Sequence, residues 1–174
     1  MSTWVLFAGL PGTGKSTLAR VMAQRLGAAV LDKDRVRGAL FPGELTDFSP
    51  EQDQLCMRAM VEAAVYLTER RRVQYIFFDG RTFSKQTQIE EVLRAAAGAG
   101  ARWRILLVTC ADEIAEGRLA VHDPGHPAQN RDPALYRRIK QGFEPILQPK
   151  LEVDTTLGID TQLEAIEGYL VAGE

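Results

Sequence analysis

The sequence predicts a single α/β domain whose parallel sheet is covered by helices. Two observations carry this expectation. Apolar runs of strand length alternate with helical patterns from end to end, which is how a parallel sheet with crossover helices reads. The chain has 174 residues, of which 45% are apolar and 25% charged; that length suits one domain with a real core, and the composition is ordinary for a globular protein. Five strands are expected, over 3–8, 28–32, 75–79, 103–110 and 151–154. Helices are expected over 15–26, 35–40, 51–72, 85–97, 112–119, 133–143 and 161–171. In the longest of these, Leu55, Ala59, Val61, Ala64, Val65 and Leu67 make an apolar stripe. The Arg70-Arg71-Arg72 run closes that helix where positive charge suits the macrodipole. Ala95 to Ala101 reads as a helix end frayed by Gly98 and Gly100, and Trp103 opens the fourth strand. Two polar, turn-rich segments break the alternation. One is 41–50, with Pro42, Gly43 and Pro50; the other is 121–133, with Pro124, Gly125, Pro127 and Pro133. Loops of this length in a compact domain are usually lids or binding loops.

A formal net charge of −2 supplies no basic field of the kind that drives non-specific nucleic-acid binding. Cys56 and Cys110 lie far apart and in no metal-ligand spacing, so free thiols in a reducing compartment are expected. Met1-Ser2-Thr3 carries no basic flank, and no stretch approaches the roughly 18 apolar residues of a membrane span. A cytoplasmic, soluble protein is the expectation.

Gly9-Leu10-Pro11-Gly12-Thr13-Gly14-Lys15-Ser16 fits G-x-x-x-x-G-K-[ST]. It follows the apolar run Trp4-Val5-Leu6-Phe7-Ala8 and precedes a helical run, the context that identifies a Walker A phosphate loop. Gly9, Gly12 and Gly14 let the backbone turn its N–H groups inward, forming a nest of donors closed by a helix N-terminus. Gly9, Leu10, Pro11, Gly12, Thr13, Gly14, Lys15, Ser16 and Thr17 are therefore the expected nucleotide site, with ATP and Mg²⁺ as the cofactors. Lys15 would reach the β- and γ-phosphates, and Ser16 would offer its hydroxyl to Mg²⁺. Asp79 ends the apolar strand Tyr75-Ile76-Phe77-Phe78, where open α/β sheets place their ligands, and in a Walker B role it would hold Mg²⁺. Gly80-Arg81-Thr82 follows and faces the same cleft; Arg81 is either a substrate contact or a structural ion pair.

The stretch Leu31-Asp32-Lys33-Asp34-Arg35-Val36-Arg37 runs off the second strand into a helix. With Asp34 near the helix start, Arg37 shares its face three residues on. Such a pair suits a hydroxyl acceptor: a carboxylate can orient the hydroxyl and take its proton, while an arginine fixes an anionic or polar part of the molecule. On spacing alone the alternative is equally good, with Asp34 a helix cap and Arg37 a solvated charge. Phe41, Phe48 and Phe83 sit beside the proposed cleft and are candidates to line an acceptor pocket.

The loop Gly9 to Thr17, the Asp34-x-x-Arg37 pair and the Asp79 strand together resemble the small P-loop kinases related to adenylate kinase. That group includes adenylylsulfate kinase, chloramphenicol phosphotransferase, gluconate kinase, polynucleotide 5′-kinase and the zeta toxins. The resemblance spans nearly the whole chain. It implies a sheet of order 2-3-1-4-5, a single domain over 1–174, an acceptor-side loop at 41–50 and a lid at 118–133. It also implies that Asp34 is the general base and that Arg37 grips the acceptor, a small molecule bearing a hydroxyl. Lid arginines of such kinases close over the ATP phosphates, and Arg118 and Arg131 are the candidates here. The second arginine that relatives carry just beyond the position of Arg118 is replaced by Ala120-Val121-His122-Asp123. His122, Asp123 and His126 are not expected to form a zinc site on a helix, because Pro124 and Gly125 lie between the histidines and no further ligand is suggested nearby. Two rival readings stay open: a polynucleotide 5′-hydroxyl kinase, for which a basic groove is missing, and an NTPase switch acting through protein partners. A guanine reader would need N-K-x-D, whereas Asn130-Arg131-Asp132 falls in the lid instead of at a strand end.

Overall fold

The computed structural model describes residues 1–121 and 132–172. Five parallel strands form one sheet in the order β2-β3-β1-β4-β5, with β1 Thr3–Ala8, β2 Ala29–Asp32, β3 Tyr75–Asp79, β4 Arg102–Thr109 and β5 Leu151–Asp154. The helices are α1 Lys15–Leu26, α2 Lys33–Leu40, α3 Pro50–Glu69, α4 Gln86–Gly98, α5 Asp112–Ala120, α6 Pro133–Gln141 and α7 Ile159–Val171. Strand number, order and fold class agree with the expectation, and the strand ends differ from it by one residue at most. Among the described residues, no helix is long and apolar enough to cross a membrane.

The central strand explains why the sequence shows unbroken apolar runs where a half-exposed strand would alternate. Successive side chains leave a strand on opposite faces, and here both faces are covered. Val5 and Phe7 pack with Leu18, Ala19 and Met22 of α1 and with Leu163, Ile166 and Leu170 of α7. Trp4, Leu6 and Ala8 pack on the other face with Met57, Met60 and Ala64 of α3 and Ile89, Val92 and Ala96 of α4. Every residue of β1 is fully buried, which fixes the register of the strand that feeds the phosphate loop.

The buried stripe of α3 differs from the expected one. Gln52, Cys56, Met57, Met60, Ala64 and Thr68 face inward, while Leu55 is exposed. The i, i+4 ladder includes two polar side chains because each is satisfied where it lies: Gln52 Nε2 donates to Leu45 O at 2.7 Å, and Thr68 Oγ1 accepts from Trp4 Nε1 at 2.9 Å. Hydrophobicity alone cannot register such pairing. The helix also stops at Glu69, short of the expected end, because Arg70 caps it and Arg71 takes a left-handed φ of 49°. The end of α4 is closed, not frayed. Gly100, at φ +66°, lets Ala101 N–H reach Ala96 O at 2.9 Å and its own N–H reach Ala97 O at 3.1 Å, the paired bonds of a Schellman ending. Phe83 is a further correction: it is fully buried in the core beside Trp4 and Phe78, brought there by a left-handed φ of 52°. It lines no acceptor pocket.

Candidate active site

The sheet order sets the site. Three C-terminal strand edges stand side by side: β1 runs into the Gly-rich loop, β3 ends at Asp79, and β2 ends at Asp32, which pairs in register with Asp79. Ligands of open α/β sheets bind along this edge. The loop after β1 is anchored at both ends. Gly9 N–H donates to Thr82 O at 3.0 Å, and Lys15, the first residue of α1, reaches back with Nζ to Leu10 O at 2.7 Å. Thr13 Oγ1 also donates to Leu10 O, at 2.9 Å. Gly9 has a φ of 138°, and a Cβ there would stand 2.2 Å from Val108 O, so only glycine fits where the loop leaves the sheet. Lys15 is buried, whereas Ser16 and Thr17 are exposed on the first turn of α1.

A brace the sequence did not disclose holds the loop from the far side. Thr155, just after β5, donates through Oγ1 to Thr13 O at 2.7 Å. Arg118 of α5 donates from Nη1 to Gly12 O at 3.1 Å and to Thr155 Oγ1 at 3.3 Å. The Arg118 guanidinium therefore lies against the phosphate loop. The expectations for Arg131, His122, Asp123, His126 and Asn130 fall on residues 122–131 and lie outside the described residues.

Asp79 is 2% exposed. Burial pushes its carboxyl up from the ordinary range, while a hydrogen bond from the Ser16 hydroxyl and the nearby Lys15 charge oppose the shift. Its Oδ1 has no hydrogen-bond partner. A buried carboxylate oxygen left unsatisfied beside a hydroxyl, at the mouth of a phosphate nest, suits Mg²⁺, which takes one or two protein ligands and otherwise phosphate and water. Among the described residues no group of three or more His, Cys, Asp or Glu could hold a metal ion. Asp79→Asn should therefore act in two directions. The ligand-free protein should melt roughly 2–4 °C higher, the shift that about 1 kcal/mol makes in a domain of this size, because a buried charge is gone. The rise in melting temperature on adding Mg²⁺ with ATP should disappear. Thermal unfolding with and without metal measures both.

On the neighbouring edge, α2 begins at Lys33, and its cap is Asp32, which accepts from Asp34 N–H at 2.9 Å and Arg35 N–H at 3.3 Å. Asp34 is thus not the cap. Its Oδ1 instead accepts from Arg37 Nη1 at 3.0 Å, so the two share one helix face. Asp53, from the first turn of α3, joins them: it pairs with Arg37 Nη2 and lies 3.0 Å from Lys33 Nζ. Arg37 is buried and also lies over the Phe48 ring, with its guanidinium carbon 5.2 Å from the centroid. Phe41 caps the end of α2 and is partly buried. Asp53 and Lys33 were missed as site residues; no spacing ties an α3 residue to α2, and burial of Lys33 has no sequence signature.

Lys33 is only 8% exposed, and burial lowers its pKa to about 8 despite the attraction of Asp34, with Arg37 and Arg81 pushing the same way as burial. Cys56 also faces it. The unfolded chain keeps this proton up to its ordinary value of 10.5. Between about pH 8 and pH 10.5 the unfolded state then holds more protons, so the Lys33 contribution to stability rises with pH across that window. Lys33→Met should flatten that rise in denaturant titrations run from pH 7.5 upward.

Residues 5–146 match the family model of the AAA domain, AAA_33. The chain belongs to that family. Solved structures place the AAA domain chain in the fold of small P-loop kinases. A presumed kinase from Chloroflexus aurantiacus shares 19% identity at a TM-score of 0.77, over 99% of this chain and 98% of that one. The APS kinase of Mycobacterium tuberculosis, in complex with AMPPNP and APS, shares 20% at a TM-score of 0.71, over 97% of each chain. A gluconokinase from Sinorhizobium meliloti shares 14% at 0.66, over 99% and 98%. Comparison with curated proteins finds no sequence match.

Proposed function

We propose that the protein is an ATP- and Mg²⁺-dependent kinase that transfers the γ-phosphoryl group to a hydroxyl of a small molecule. The observation that supports this reading most is the placement of Asp34. A carboxylate held by Arg37 stands in the first turn of α2, two residues past Asp32, the end of β2 that pairs with Asp79, and β2 lies next but one to the strand that feeds the phosphate loop. A pure nucleotide switch has no use for an acceptor-side carboxylate; a kinase needs one to orient the attacking hydroxyl and receive its proton.

In this mechanism the loop N–H groups and Lys15 hold the donor phosphates, and the Lys15 ammonium compensates charge that develops on the transferred group. Asp34 hydrogen-bonds the acceptor hydroxyl and accepts its proton as the oxygen attacks. Arg37 keeps Asp34 aimed, and Arg118, already against the loop at Gly12, supplies further positive charge at the phosphates. Ser16 and Asp79 would hold Mg²⁺, which when bound neutralises charge on the phosphate oxygens. The acceptor would lie against α2, the 41–50 loop and α3. A pool of hydroxyl metabolites incubated with ATP and Mg²⁺, read by mass spectrometry, should show one compound gaining a single phosphate in proportion to ADP formed. ADP without any phosphorylated compound, at a rate set by an added protein partner, would instead identify a switch.

A further inference from the structure

Three cationic side chains gather on the acceptor side, and they are unequally engaged. Arg37 is committed to Asp34 and Asp53 and stacked on Phe48. Lys33 lies 3.0 Å from Asp53 Oδ1 and 3.8 Å from Asp34 Oδ1. Arg81 differs in degree: it is 7% exposed, and both its Nε and its Nη1 have no hydrogen-bond partner, whereas Arg37 leaves only Nε without one. The carboxylate whose charge it feels is Glu91 of α4, and Glu91 already accepts from the Gln54 amide at 2.6 Å. A guanidinium withdrawn from water with donors unused is costly unless something completes it.

The backbone holds it in place. Gly80, at φ +78°, packs so tightly on the start of α2 that a Cβ would lie 2.8 Å from Asp32 Oδ1 and 2.9 Å from Lys33 N. Arg81 is the next residue along the chain, and its charge opposes that of Lys33. A planar fork of N–H donors beside an ammonium matches two oxygens of one oxyanion.

We infer that Arg81, with Lys33 at its side, binds an oxyanion carried by the acceptor, so that the substrate is a hydroxyl compound bearing a carboxylate or a phosphate or sulfate ester. The position of the hydroxyl rests on the kinase reading; the oxyanion site does not. Arg81 is then a specificity-determining residue, and Arg37 positions the base.

The test fills the phosphate loop first, with a non-hydrolysable ATP analogue and Mg²⁺, then titrates sulfate or acetate while following the Arg81 Nε–H resonance, assigned by its absence in Arg81→Met. A saturable shift is expected. Stronger binding of sulfate points to a phosphate or sulfate ester, and stronger binding of acetate to a carboxylate. Arg81→Lys keeps the buried charge but not the fork, and it should weaken binding of the better anion by roughly 10- to 100-fold, read by calorimetry on the loaded protein. No saturable shift with either anion, or unchanged affinity in Arg81→Lys, overturns the inference. The two readings fail separately: anion binding without transfer to any hydroxyl compound removes the kinase, whereas transfer to neutral acceptors without anion binding removes the oxyanion site.

Discussion

Asp34→Asn should leave ATP affinity nearly unchanged and lower transfer to the true acceptor by roughly 10²- to 10⁴-fold, the usual worth of a general base. Asparagine keeps the size of the side chain and can still accept from Arg37 Nη1, now 3.0 Å from Asp34 Oδ1, but it cannot take the hydroxyl proton. The α2 cap is not disturbed, because Asp32 makes it. A loss of turnover in this variant is therefore chemical and not a loss of the helix, and circular dichroism with ATP titration separates the two. Background hydrolysis uses water and need not engage Asp34, so the rate must be that of phosphorylated acceptor. A wild-type transfer rate would move the base elsewhere.

Lys15→Ala should reduce turnover by at least about 100-fold, on the scale of losing one donor to a developing oxyanion. The side chain spans the mouth of the loop, its Nζ 2.7 Å from Leu10 O, and its charge also opposes the upward push that burial gives the Asp79 carboxyl. Loss of Lys15 should therefore both remove charge compensation at the transferred phosphate and push the Asp79 carboxyl up further, weakening Mg²⁺ binding as pH falls. Steady-state rates measured over a range of metal concentrations and pH resolve the two parts. Near-normal turnover with any acceptor would show that the loop is not a phosphate cradle.

The sheet and the phosphate loop were legible because their physics is local. An apolar run buried on both faces, a glycine forced into a positive φ and a lysine opening a helix all leave marks within a few residues of sequence. The places of Asp79 and of the Asp34/Arg37 pair in the fold were legible for the same reason, each being tied to the end of a strand or to one turn of helix. What escaped was non-local. Thr155 meets Thr13 across 142 positions, and Asp53 meets Arg37 only because α3 packs against α2. Gln52 and Thr68 enter the core because distant partners satisfy them, and Phe83 turns inward on a backbone conformation that no hydrophobic pattern encodes. Arg81 shows the same limit at the site itself: its position after Asp79 was readable, but its unmatched donors were not.

The central claim is that the γ-phosphoryl group goes to an organic hydroxyl and not to water. Turnover of ATP with the acceptor in ¹⁸O-labelled water measures this directly. The account predicts a phosphate ester, in amount equal to the ADP formed, with no ¹⁸O in its phosphoryl group and little free phosphate. Inorganic phosphate carrying ¹⁸O as the main product, with the acceptor unchanged, would contradict it.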